Sequence, residues 1–391
     1  MATYGTEYLK SRNRKQVFDL FLEHRVLSRA EIVQKTDMSF PTVSKAVEFL
    51  LSRGIVRQAG EDPPGAETPV SLGRKRQMLR LNPRACCAMS LNFEGQYLDM
   101  GLVDLSGEVF CQKRLPFDNF QSREANGRLA AQMRQMQKRA PCPVLGVGVG
   151  LPANVDAETG RIVSFTEAGT DAPLEIHTLF PGLTDEFRLP FYVENDVNLA
   201  CLGECVRNKG EKHRGKEEHY NLCYLTLGTG FGAGLMLNGK LWRGAANRAG
   251  EIGHMLLCPP GAKAPGMLEK QIGLPALERR FGLNLLREPR LTPAQRELLI
   301  AYLAEPLSLS VYNVASLFDL ERFILAGYLP ELLGPSLLDR VRNAADPLLA
   351  EGGRRILLTA PGSADNALIG GAQMVFEKTL LWELTDRAIT A

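Results

Sequence analysis

The chain opens with apolar residues at helical spacing and, past residue 82, turns to the short continuous and alternating apolar runs of strands. Val17, Leu20 and Phe21, after Asn13, predict a first helix with one apolar face. Ser28 and Glu31 form a Ser-x-x-Glu capping box, in which hydroxyl and carboxylate each take a backbone N–H that a helix start leaves without a partner. The box opens a second helix that turns Ile32 and Val33 inward. After a turn at Thr36-Asp37-Met38, Ser39 caps a third helix, Pro41 fits its first turn, and Val43, Ala46, Val47 and Leu50 share one face. Phe40, Thr42, Ser44, Lys45 and Glu48 then point outward. Gly54 stops this helix, and Ile55-Val56-Arg57 starts a strand that Met78-Leu79-Arg80-Leu81 answers across a long tip rich in Pro and Gly. Helix, turn, capped helix and hairpin in this order predict a winged helix-turn-helix over residues 1–82.

Beyond Asn82-Pro83, strands are predicted from Cys87 to Leu91, Tyr97 to Val103 and Val109 to Leu115, with turns at Gly95 and at Asp104-Leu105-Ser106-Gly107. The plan recurs between Tyr220 and Arg243: a strand to Leu227, a turn at Gly228-Thr229-Gly230, a strand from Ala233 to Leu237, a turn at Asn238-Gly239 and a strand from Lys240 to Trp242. One hairpin module stands in each half of the body.

Charge divides along the same line. Residues 1–82 hold 14 Lys and Arg against 9 Asp and Glu, while the whole chain carries only +2, so the basic excess sits in the first module. That sign suits a nucleic-acid-facing end, and equally an ordinary solvated surface. Small hydroxyls and one Lys at the start of the third helix suit base edges and phosphates in a major groove, and Arg74, Lys75 and Arg76 at the hairpin tip suit a minor groove or phosphates. The candidate DNA-binding set is therefore Ser39, Phe40, Thr42, Ser44, Lys45, Arg74, Lys75 and Arg76. A helical hairpin used for protein contacts is the plainer alternative.

With 391 residues, 45% hydrophobic and 23% charged, the chain can bury two or three cores. Its eight cysteines form no Cys-x-x-Cys pair and no Cys/His finger spacing, and read as small buried hydrophobes. No apolar run approaches the ~18–20 residues that cross a bilayer, and the polar start is unlike a signal peptide, so a cytoplasmic protein is expected.

The body resembles the ROK family of bacterial repressors, open reading frames and sugar kinases. The matching stretches are Glu194-Asn195-Asp196-Val197-Asn198, Leu227-Gly228-Thr229-Gly230-Phe231-Gly232-Ala233-Gly234, Gly250-Glu251-Ile252-Gly253-His254 and Ile369-Gly370-Gly371-Ala372. The resemblance implies a two-lobed, actin-like, sugar-kinase and ribonuclease H-like α/β fold. It places a first lobe over 83–193, completed by a C-terminal helix over 373–391, and a second lobe over 194–372 with a dimerisation surface. In such kinases two Gly-bearing turns face each other and hold ATP phosphates through backbone N–H groups. The same resemblance assigns Asp196 the position of the base that deprotonates the sugar hydroxyl, and Asn195, Glu251, His254 and Glu269 contacts to the sugar.

Departures from the family pattern change the expected chemistry. The first phosphate turn, Asp-x-Gly-Gly-Thr in the kinases, reads Asn92-Phe93-Glu94-Gly95-Gln96: a magnesium-binding Asp is lost and a carboxylate stands where a polyanion should lie. Like charges at ~4 Å cost about 1–4 kcal/mol between aqueous and protein-surface dielectrics. Asn92, Gly95, Gly228, Thr229 and Gly230 thus read as vestigial phosphate loops, and Asp196 as a vestigial base. The three Cys ligands of the family's zinc site are replaced by Pro260, Ala262 and Met267, and Cys258 alone cannot hold zinc. A sugar-contacting Asn is also missing from the stretch Ser164-Phe165-Thr166-Glu167, and Gly150-Leu151-Pro152-Ala153 lacks the family's second Gly. The expectation is a sugar- or sugar-phosphate-responsive DNA-binding regulator, dimeric or tetrameric on double-stranded operator DNA, with a non-catalytic body, no metal and no ATP-magnesium. Its rivals are a sugar kinase that also binds DNA and a regulator whose body only oligomerises.

Overall fold

The computed structural model describes residues 2–59, 77–117, 120, 122–156, 158–165, 173–208, 221–257 and 265–380. The chain begins with α1 (Ala2–His24), well ahead of the Asn13 start that the apolar period gives. Among the described side chains of this helix Leu9 is 53% exposed and burial begins at Val17, so the apolar period starts late. A strand the pattern did not reveal, β1 (Val26–Ser28), precedes α2 (Arg29–Lys35), α3 (Phe40–Ser52), β2 (Val56–Gln58) and β3 (Met78–Leu81). These strands make a three-stranded antiparallel sheet in the order β1-β3-β2. The capping box forms as expected: the Ser28 N–H donates to Glu31 Oε2 at 2.7 Å and the Glu31 N–H to Ser28 Oγ at 3.3 Å. Val17, Phe21, Ile32, Val43, Val47, Leu50 and Leu79 fill the module's core.

The first body sheet follows: β4 (Cys87–Glu94), β5 (Tyr97–Asp104), β6 (Val109–Pro116), then α4 (Arg123–Arg139), β7 (Val144–Leu151), the small hairpin β8 (Asn154–Asp156) and β9 (Arg161–Ser164), α5 (Ile176–Leu179), α6 (Leu183–Phe187) and β10 (Phe191–Asn195). Its order is β10-β7-β4-β5-β6, with β10, β7 and β4 parallel and β4, β5 and β6 antiparallel. β4 is buried on both faces, hence its nearly continuous apolar run. Phe93, Phe117, Phe120, Phe165 and Phe180 meet beneath it, with ring centroids as close as 4.8 Å.

The second half repeats the plan. After α7 (Asp196–Asn208) come β11 (Leu222–Leu227), β12 (Phe231–Leu237) and β13 (Lys240–Leu241), a 3-10 turn at Ile252–His254, the short pair β14 (Leu256–Leu257) and β15 (Gly266–Met267), α8 (Glu269–Ile272), α9 (Leu274–Phe281), α10 (Pro293–Phe318), β16 (Arg322–Ala326), α11 (Tyr328–Leu333), α12 (Pro335–Glu351), β17 (Leu357–Thr359) and α13 (Asn366–Leu380). The sheet order β13-β12-β11-β16-β17 reproduces that of the first sheet: an antiparallel hairpin unit extended by parallel strands. This duplicated arrangement, two lobes each of hairpin plus parallel strands, is the actin-like fold.

Two expectations need correction. By length and composition α10 is apolar enough to cross a membrane, contrary to the absence of any such run; 56% of its most apolar window is buried inside the protein, in the second lobe's core with α12. The C-terminal helix starts at Asn366 rather than at 373, because Leu368, Ile369, Ala372 and Val375 already bury themselves in the core there. Residues 381–391 lie outside the described residues.

Candidate functional site

α3 turns its apolar face, Val43, Ala46, Val47 and Leu50, into the module and leaves the other face open. Phe40 begins it 55% exposed, Lys45 is exposed, and Thr42 and Ser44 are half-buried. Ser39 occupies the N-cap position without a side-chain capping bond, since its hydroxyl lies 2.9 Å from that of Thr42. Arg14 stacks on Phe49 from the neighbouring helix, with its guanidinium carbon 3.7 Å from the ring centroid. Arg74, Lys75 and Arg76 lie outside the described residues.

At the first phosphate turn, Asn92 is only 5% exposed and its Oδ1 has no hydrogen-bond partner. It is tucked over β7, where a Cβ at Gly150 would fall 2.4 Å from that oxygen, so the missing side chain of Gly150 makes its room. Gly95, at φ 58, turns the chain. Glu94 is half-buried. Burial pushes its carboxyl above the usual carboxylate range against the pull of Arg114, and Asp99 and Glu331 of α11 push the same way as burial. This turn therefore presents a carboxylate that burial disfavours in its charged form and, from Asn92, a neutral amide.

Across from it, the Gly228 N–H donates to the Gly230 carbonyl at 2.9 Å and the Leu274 N–H to that of Gly228 at 2.9 Å, while the Thr229 side chain stays exposed. The Phe231 N–H donates to Glu269 Oε2 at 3.0 Å, which ties Glu269 to the back of this turn. Gly250, at φ 91, is packed so tightly that a Cβ would stand 1.8 Å from the Ala233 carbonyl oxygen. It seats the 3-10 turn against β12, with Glu251 and His254 exposed and 3.8 Å apart. Asn195 ends β10 and Asp196 starts α7. Asn195 spends its side chain locally: Oδ1 accepts the Asn198 N–H at 3.0 Å and Nδ2 donates to the Ala153 carbonyl at 3.3 Å, leaving one Nδ2 hydrogen for a ligand. Val197, one residue after Asp196, packs on Gly232 and Gly234, so the Asn195-Asp196 end and the Glu251-His254-Glu269 group are gathered on the same strand, β12.

The residue reading passed over the groups that hold this end in place. Glu194 is 2% exposed; its Oε1 accepts from the Asn195 N–H and Asn198 Nδ2, and its Oε2 from Arg243 Nε at 2.7 Å. Glu194 lies in β10 of the first sheet, not at the start of the second lobe as the 194 boundary expects, while Arg243 follows β13 of the second sheet, and no sequence signal links the two. Of the three positions that the resemblance assigns to zinc-binding cysteines, Pro260 and Ala262 lie outside the described residues and Met267 presents a 40% exposed thioether. The base of that loop is closed instead by the β14–β15 ladder and by Gln271 Nε2, which donates to the carbonyls of Leu257 at 3.0 Å and Gly266 at 2.8 Å.

Fold and site together define a winged helix-turn-helix joined to an actin-like, sugar-kinase-type body. The ROK family model matches residues 88–379, and the chain belongs to that family. It is 25% identical over 365 residues to the xylose repressor of Caldicellulosiruptor bescii, covering 86% of this chain and 87% of that protein. A β-glucoside kinase of Listeria monocytogenes is 31% identical over 248 residues, 60% of this chain and 79% of that one. Among solved structures, a ROK family transcriptional regulator homologous to the E. coli MLC protein superposes with a TM-score of 0.71 at 19% identity, over 96% of this chain and 99% of the other. A Streptomyces griseus ROK glucokinase in complex with glucose and AMPPNP gives 0.58 at 22% identity, over 74% and 98%. At these identities the structures establish the shared fold.

Proposed function

We propose that this protein is a cytoplasmic, sugar-responsive transcriptional repressor that binds operator DNA as a dimer or higher oligomer and whose body senses a sugar without phosphorylating it. The observation that carries the reading is the pairing of an α3 whose outer face is left open with a first phosphate turn that carries the Glu94 carboxyl. A xylose repressor that matches 86% of this chain supports it. Asp196, Glu251, His254 and Glu269 would hold the effector, with donors and acceptors matching adjacent hydroxyls. The xylose repressors make pentoses the first class to try, ahead of hexoses and amino sugars. A single short half-site reads few base pairs, so a two-fold pair of modules supplies specificity.

The test begins with selection of bound DNA from a random pool by the full-length protein, followed by titration of the selected site with and without xylose, glucose and N-acetylglucosamine. One sugar should shift operator affinity; an operator affinity that no binding sugar alters would leave the body an oligomerisation scaffold. The kinase reading keeps one specific support, the Asp196 carboxylate at the head of α7 in a chain 31% identical to a β-glucoside kinase. Sugar-dependent ATP turnover that vanishes in Asp196→Asn would establish it; absence of turnover at millimolar ATP-magnesium is the expected outcome.

A further inference from the structure

α13 lies between the helix that carries Asp196 and the helix-turn-helix. On one side it meets α7 backbone to backbone: a Cβ at Gly203 would stand 1.9 Å from the Asn366 carbonyl oxygen, and one at Gly370 1.9 Å from that of Leu199. It sits as closely on β7, where a Cβ at Gly148 would fall 2.4 Å from the Gly371 carbonyl oxygen. Such contacts have no side chains to absorb displacement by changing rotamer, so α7, α13 and β7 shift together. α7 in turn leans on the second lobe, its Cys201 Cβ 2.6 Å from where a Cβ at Gly234 would be, and the Glu194 just before it is held by Arg243.

Besides α7 and β7, α13 packs on β4 and β5 of the first sheet, and at that face it also meets the DNA-reading module. Leu368, Ile369, Val375 and Phe376 share one hydrophobic cluster with Phe18 and Phe21 of α1. Lys15 of α1 reaches Glu377 at 3.5 Å. The covalent joint between module and body is meanwhile pinned: Asn82 donates from its N–H to the Ile55 carbonyl at 2.8 Å and from Nδ2 to that of Gly54 at 3.0 Å, the Leu105 N–H donates to the Pro83 carbonyl at 3.1 Å, and Arg25 donates to the Ser106 carbonyl at 3.1 Å.

We propose that α13 is the transmitting element of this protein: displacement of the second lobe reaches α1, and with it the reading helix, through α7 and α13 rather than by swinging at Asn82-Pro83. The use of that displacement, release of operator DNA, rests on the regulator reading above. The route itself is a property of the packing.

Hydrogen exchange followed by mass spectrometry on the full-length protein tests the route without DNA or sugar. Two perturbations in the second lobe are compared with wild type: Arg243→Lys, which keeps the charge but loses the directed Nε bond, and Gly234→Ala, which must displace α7. Exchange should quicken by about threefold or more in α7, α13 and α1 together, while α12 stays as protected as before. In a Phe376→Ala/Glu377→Gln background, which cuts the α13–α1 contact, the same changes should no longer reach α1. A perturbed α7 with an unperturbed α1, or an α1 that still responds after the cut, overturns the proposal. Failure of the regulator reading would show separately, as a wild-type protein that enriches no DNA sequence.

Discussion

Glu94 and Glu194 show how neighbours decide what a carboxylate does. Burial raises the Glu94 carboxyl above its ordinary value, so its ionisation opposes folding: stability falls as pH climbs through the interval between the ordinary and the raised value, and stays lower above it. Glu94→Gln removes that loss. Thermal melts of variant and wild type should coincide at about pH 4, where both forms are largely neutral, and the variant should melt higher at about pH 8. A wild type that melts higher at the alkaline end would reveal a favourable partner on the carboxylate. Glu194, also a glutamate and more buried, is instead satisfied by Arg243, Asn198 and the Asn195 N–H. Arg243→Ala strands that charge, and urea denaturation should show a loss of about 2–3 kcal/mol, below the usual figure for a broken buried pair because the guanidinium is partly exposed. The motif around Asp196 was legible from residue types; its anchor was not, since Arg243 lies far along the chain and touches Glu194 only once the lobes fold against each other.

Elements whose faces differ in polarity were legible, and those without such contrast were not. The capped α2 and the amphipathic α3 follow directly from spacing, because one face is buried and the other wet. β1 is three residues long and α10 is apolar through most of its length, so neither offers a period to read. Glycines carry a second kind of information at this scale. Gly203→Ala places a methyl into the α13 backbone and should abolish soluble, cooperative folding or cost about 3 kcal/mol or more, as overpacking does when backbone cannot yield. Gly127→Ala, in the exposed flank of α4 with nothing within 4 Å of the new methyl, should instead stabilise by about 0.5–1 kcal/mol. Denaturant midpoints of the two variants compare helical glycines that differ only in what stands opposite them.

For the whole molecule, the reading helix and the body form one continuous core, so a change at one end has a physical path to the other. If the exposed face of α3 enters a major groove, Lys45→Ala should weaken binding to every sequence alike and lower the slope of log affinity against log salt by about one, the mark of one lost phosphate contact. Phe40→Ala, which removes an exposed apolar contact and no charge, should leave that slope unchanged and cost affinity only on sites with a thymine methyl at the position it meets, by about 1 kcal/mol or more. Equal salt slopes for wild type and Lys45→Ala would displace α3 from the DNA.

By itself the sequence determined the order of the modules, the capped helices of the first, the duplicated hairpins of the body and the chemistry of the two phosphate turns. These features are local: each is set by residues within a few positions of one another, whose propensities, caps and turn types act before the chain is folded. The tertiary structure alone decided that Asn195 both accepts from the α7 backbone and donates to Ala153, that Arg243 of the second sheet's end holds Glu194 of the first, and that α13 is in one core with the reading module. Those outcomes depend on contacts between residues far apart in the chain, where only close packing of backbone on backbone determines which groups meet.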